Sequence, residues 1–157
     1  MIYVFDTNSL SNILNHYYRD RFPSFWEKFD ESVRNGSIVS VREGKFELEQ
    51  RFSREAIEEI VRLNAEFFAE PTSEEGAFVR QIYSIPHFRQ NLEHKKLLQG
   101  GYFADPFIIA RARVVNGIVV TEEHMRDNGA GIPNICKHFG IEPVNLKDFL
   151  SKEDWRF

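Results

Sequence analysis

Four acidic residues stand where this sequence could do chemistry. Asp6 closes the apolar run Ile2 to Phe5, and Glu47 lies on a helical stretch that follows Ile38 to Val41. Asp105 opens the segment DPFIIARA, and Glu123 follows the run IVVT at a spacing of two from Thr121. As parallel strands of one sheet, those runs would bring all four side chains to its carboxyl edge, where open α/β sheets have their functional crevice. Carboxylates grouped without His or Cys suit a hard divalent cation such as Mg²⁺ or Mn²⁺. Such an ion lowers the pKa of a bound water and stabilises charge on phosphate oxygens, which is what cutting a phosphodiester backbone requires.

Each acid also has a purely structural role open to it. Asp6 and Asp105 both precede helical stretches, Asp105 with Pro106 at the first helical position, and an N-cap contributes about 1 kcal/mol. Glu43 and Glu47 share a helix face one turn apart. Glu47, flanked by Phe46 and Leu48, is preferred for the site, because Glu43 near the helix start is explained by the helix dipole. Successive residues of an extended segment point opposite ways, so Glu123 shares the side of Thr121 and Glu122 does not. The constellation says more than its parts. Two carboxylates about 4 Å apart repel by about 4 kcal/mol at an effective dielectric of 20. A fold keeps such a group only where a cation or protons neutralise it.

The elements that must position these side chains can be read from periodicity. Strands are predicted at Ile2 to Phe5, Ile38 to Val41, Ile118 to Thr121 and Glu142 to Val144. Between them lie helices over Ser9 to Tyr18, from Pro23 to the Asn35-Gly36 stop, and from Arg42 to Arg51. Ser53 caps a strongly periodic helix carrying Ile57, Ile60, Val61, Asn64, Phe67 and Phe68, stopped by Pro71. Thr72 and Glu75 form a capping box, His87 to Gln99 is helical up to Gly100-Gly101, and Asp105 starts a helix closed by Gly117. Short helices follow at Ile132 to Phe139 and after Asn145. Strands alternating with helices give an α/β fold with a parallel sheet covered on both faces. We expect one domain over residues 1–157, with 53–99 as an inserted helical arm.

At 157 residues and 42% hydrophobic, the chain can bury a full core, and its fifteen Phe make that core aromatic. No apolar run reaches the roughly 18 residues of a membrane span, no signal peptide is visible, and the single Cys136, read as a buried apolar residue, forms no internal disulfide. These features predict a cytoplasmic protein with no membrane partner. The net charge of −4 argues against non-specific coating of nucleic acid. Local groups that could contact phosphate or bases are His94, Lys95 and Lys96, then Tyr102 and Phe103, then Arg126 and Asn128. A solvated helix end and a core aromatic pair explain the first two groups equally well. There is no Gly-rich phosphate loop and no zinc spacing.

The FDTN start, the ADPFIIARA and VVTEE segments in that order, and the ending IPNICKHFGIEPVNLKDFL resemble the PIN-domain family, with the nearest likeness to the group related to VapC-type toxins. The resemblance implies a three-layer α/β/α sandwich, Mg²⁺ or Mn²⁺ as cofactor, endoribonuclease activity on RNA, and an antitoxin partner. By motif, Asp6 matches the first acid, Asp105 the third, and Glu123 stands where the family often has Asp. Glu47 takes the second place by its position, with Asn8 and Thr121 as supporting polar residues. Gly44 inside the second-acid helix departs from a good helix former by about 1 kcal/mol and weakens the choice of Glu47 over Glu43. Three rivals fit the same residues: an idle PIN-fold binding module, a DNA-directed PIN nuclease, and a phosphatase using Asp6 as nucleophile. The last usually needs an acid two residues on, where Asn8 stands. The periodic face from Ile57 to Phe68 either finishes the core or docks a partner, an antitoxin or a second copy in a homodimer.

Overall fold

The computed structural model describes residues 1–157. Its centre is a four-stranded, all-parallel sheet in the order β2-β1-β3-β4, with β1 at Tyr3–Phe5, β2 at Ile38–Val39, β3 at Ile118–Val120 and β4 at Pro143–Val144. The helices are α1 Thr7–His16, α2 Pro23–Arg34, α3 Arg42–Glu49, α4 Arg54–Leu63, α5 Ser73–Tyr83, α6 Pro86–Gln99, α7 Asp105–Val115, α8 Ile132–His138 and α9 Leu146–Lys152. No helix is long and apolar enough to cross a membrane.

The pleat divides the core into two. Tyr3, Phe5, Ile38, Ile118, Val120 and Val144 face one layer, built from α1, α2, α4 and α9 with Leu48 of α3. Val4, Val39 and Val119 face the other, built from α5 to α8. The continuous apolar runs YVF in β1 and IVV in β3 follow from this, since a parallel strand covered on both faces has no polar side. Phe149 of α9 packs edge-on against Tyr3 and Phe5, with ring centroids 4.7 and 5.1 Å apart. The result is the α/β/α sandwich expected from the sequence.

Residues 53–99 are shared between the layers. α4 buries Ile57 and Ile60 on one side of the sheet, while α5 packs on α7 on the other. The capping box of Thr72 and Glu75 forms as predicted. The α4 helix ends at Leu63, well short of Pro71. Asn64 turns extended there, donating to the Val33 carbonyl at 3.0 Å and accepting from the Glu66 amide at 2.9 Å. The following carbonyls of Phe67 and Ala69 then accept from Ser40 and Arg42 at 2.9 and 3.1 Å, satisfying the backbone just past β2. Phe67 is fully buried and Phe68 nearly so. Ile57, Ile60, Phe67 and Phe68 thus belong to the core on this side of the sheet, with Val61 and Leu63 partly buried against it.

Candidate active site

The sheet order reverses at β1, with β2 on one side and β3 on the other, so the crevice of an open sheet opens beyond the ends of β1 and β3. Asp6 is the first residue past β1. Its amide donates to the Val120 carbonyl at 3.0 Å, and its Oδ1 accepts from the Ser9 amide at 2.8 Å, so it caps α1. The Ser9 hydroxyl donates to the same Val120 carbonyl at 3.1 Å, and Ser40 Oγ donates to the Phe5 carbonyl at 2.8 Å. Hydroxyls thus tie the strand ends together below the acids. Asp6 is only 3% exposed. Burial pushes its carboxyl up to about 6, Thr121 and Ser9 counter part of this, and the neighbouring Asp105 charge adds to it.

Asp105 and Glu123 meet over one cation. Lys95 Nζ of α6 donates to Asp105 Oδ2 at 2.8 Å and to Glu123 Oε1 at 3.0 Å. Burial raises the Asp105 carboxyl, and Lys95 pulls it back. Burial lowers the Lys95 ammonium, but the two carboxylates more than offset this and leave it raised. The other Glu123 oxygen, Oε2, accepts from the Ile132 amide at 2.8 Å. That approach needs Gly131, where an added Cβ would lie 2.8 Å from Glu123 Oε2. Glu122 turns the other way and accepts from the Leu146 amide at 2.7 Å. Thr121 Oγ1 accepts from the Glu123 amide at 3.2 Å and so shapes this turn.

Glu47 is held differently. Its Oε1 accepts from the Ala104 amide at 2.9 Å and Thr7 Oγ1 at 3.2 Å, and its Oε2 from Gln99 Nε2 at 2.7 Å. Burial raises its carboxyl. These three donors make Glu47 a brace between α1, α6 and the residue before Asp105. Glu43 instead pairs with Arg42 at 2.8 Å, and its Oε2 is buried without a partner. Gly44 is explained by close packing: an added Cβ would lie 3.2 Å from Ser40 Oγ and 3.5 Å from Thr7 Oγ1. Glu47→Gln turns an acceptor into an amide donor facing donors, which costs about 1–3 kcal/mol. We expect it to lower the urea midpoint clearly and Glu43→Gln to lower it less; equal losses would contradict the brace.

The remaining expected residues scatter. Asn8 is exposed, its Oδ1 3.5 Å from Arg51 Nη1, and has no hydrogen bond to the acids. Tyr102 is exposed and packs on Phe46 with centroids 4.5 Å apart, and Lys96 lines a small cavity with Glu43 and Tyr102. Arg126 lines a polar cleft with Asn91, Lys95, Glu123, His124 and Asn134. Cys136 is buried, which pushes its thiol up to about 12. The sequence reading missed Thr7, Ser9 and Gln99. Gln99 alone had a signal, since it lies four residues after Lys95 on the same helix face.

The donor set suits a hard cation: Asp6, Asp105 and Glu123 offer only carboxylate oxygens, and an ammonium already stands between two of them. The four acids do not converge into a ready-made metal cage. Lys95 already takes one oxygen each of Asp105 and Glu123, and Glu47 spends its oxygens on hydrogen bonds.

The same architecture occurs in a solved complex, VapBC2 from Rickettsia felis bound to a DNA fragment from its promoter. One chain of that complex matches with a TM-score of 0.50 and 16% identity, covering 93% of this chain and 99% of its own length. No curated protein matches in sequence. Residues 3–157 match the family described as a domain of unknown function, DUF4411, and the chain belongs to that family.

Proposed function

We propose that this chain is a PIN-type endoribonuclease dependent on Mg²⁺ or Mn²⁺ and the toxin of a toxin–antitoxin pair. The observation that carries the reading is the group of Asp6, Asp105 and Glu123 at the switch point of a parallel sheet, with a positive charge held between Asp105 and Glu123. The fold likeness to a chain of a VapBC2 complex supports it, as do the FDTN, ADPF and VVTEE motifs.

Asp6, Asp105 and Glu123 would hold the ion. When bound, it supplies a water acidified to act near neutral pH and charge stabilisation for the phosphate. The chain's own residues do the rest. Thr121 and Gly131 fix the approach of Glu123, and Glu47 fixes the backbone that presents Asp105. The cleft lined by Lys95, His124 and Arg126 offers cationic and polar groups to a polynucleotide backbone. A protein inhibitor would have to cover this cleft. A second reading, an idle binding module, is favoured by one observation: Lys95 already neutralises two of the acids.

Cleavage assays on single-stranded RNA and DNA of one sequence separate the readings. We expect RNA to be cut with Mg²⁺ or Mn²⁺, EDTA to stop it, and added metal to restore it. Cleavage that persists in chelator would end the metal reading. Absence of cleavage by a protein that binds Mn²⁺ would favour the idle module.

A further inference from the structure

The geometry points to Lys95 as a built-in counter-cation that a divalent ion must displace, with the last turns of α6 acting as a latch on the acidic centre. This rests on the proposed metal-dependent reading and gives it a regulating part. Lys95 Nζ lies within hydrogen-bond distance of Asp105 and Glu123 at once, at 2.8 and 3.0 Å. One turn further, Gln99 Nε2 holds Glu47 at 2.7 Å and the Tyr102 carbonyl at 2.6 Å. Two side chains on one helix face thereby fasten α6 to three of the four acids.

A divalent ion and this ammonium compete for the same oxygens. Mg²⁺ takes its oxygens at about 2.0–2.1 Å and requires near-octahedral placement. An ammonium already touching one oxygen of each carboxylate stands in that shell and repels the ion. Metal entry must therefore break both Lys95 contacts. What holds α6 otherwise is slight at this end. Its buried side chains are Phe88 and Leu92, both before Lys95, whereas Leu97 and Leu98 are exposed. The helix ends at Gly100 in the left-handed conformation, φ 67°, and Gly101 follows. That end can part from the acids without disturbing the core. The freed ammonium lies in the cleft with His124 and Arg126, where a phosphate is its natural new partner.

Calorimetric titration with Mn²⁺ at pH 7.5 tests this on the full chain, comparing wild type with Lys95→Met, which keeps the apolar stem and removes the charge. We expect the variant to bind Mn²⁺ about tenfold more tightly. Hydrogen exchange of wild type should show amides of residues 95–99 exchanging faster once Mn²⁺ is saturating. Equal or weaker Mn²⁺ binding by a folded Lys95→Met overturns the latch and leaves the metal reading standing. No Mn²⁺ binding by either protein overturns both. Should Lys95→Met fail to fold, the exchange experiment decides alone, and unchanged protection of 95–99 on Mn²⁺ saturation overturns the latch.

Discussion

Asp105→Asn is expected to lower metal-dependent RNA cleavage by about a thousandfold and to leave the fold intact. A thousandfold corresponds to about 4 kcal/mol of lost transition-state stabilisation, in the range a metal's charge stabilisation supplies. The side chain keeps its size and loses only its charge. The sequence left open a structural explanation of Asp105, as the N-cap of α7. In the structure Ala104 holds the cap position, with no side-chain cap bond, and Pro106 sets the first turn. Asp105 Oδ2 meets Lys95 instead. A helix that does not use Asp105 as its cap should not melt when Asp105 is neutralised. Cleavage of a labelled RNA at saturating Mn²⁺, beside circular-dichroism melts, checks both halves. Undiminished cleavage would remove Asp105 from the metal site, and a collapse of the melting temperature would show that its role is structural.

How far the sequence could be read follows a physical boundary. Helix starts were legible because caps are local: Ser53, Thr72 with Glu75, and Asn145 each accept the amide their type predicts. The strands were legible because a sheet buried on both faces demands runs such as YVF and IVV. The end of α4 was not, because its periodicity continues to Phe68 and only the unpaired backbone beyond β2 calls residues 64–69 out of the helix. The same boundary crosses the site. Chain order and spacing placed Asp6, Asp105 and Glu123 at one edge. What Glu47 does depends on Ala104 and Gln99, 57 and 52 residues away. Lys95 looked like a surface cation beside His94 and Lys96. Only the packing of α6 turns it onto two carboxylates and leaves Lys96 outside.

Asp6 gives the metal-free protein a pH dependence opposite to that of a salt-bridged carboxylate. Its folded carboxyl lies at about 6, raised from 3.8 by burial above all. A raised folded value means that the folded state holds the proton more tightly than the unfolded chain does. The resulting stability is fully present below about pH 4 and is lost as pH rises through about 6. A difference of that size amounts to roughly 3 kcal/mol. Asn keeps an oxygen for the Ser9 amide and carries no charge, so Asp6→Asn removes the loss without removing the cap. At pH 7.5 in EDTA, Asp6→Asn should melt above wild type by about 6–12 °C, at roughly 2–4 °C per kcal/mol for a chain of this length. At pH 4 the two should melt together. Saturating Mn²⁺ should close the gap at pH 7.5 from the wild-type side, since an ion at a hundred times its Kd contributes about 2.7 kcal/mol to the protein that binds it. Paired melts at pH 4, 5.5 and 7.5, with EDTA and with Mn²⁺, provide the measurement. A variant that melts below wild type at pH 7.5 would mean that the ionised carboxylate is already neutralised in the metal-free protein, with the positive charge of Lys95 reaching all three acids rather than two.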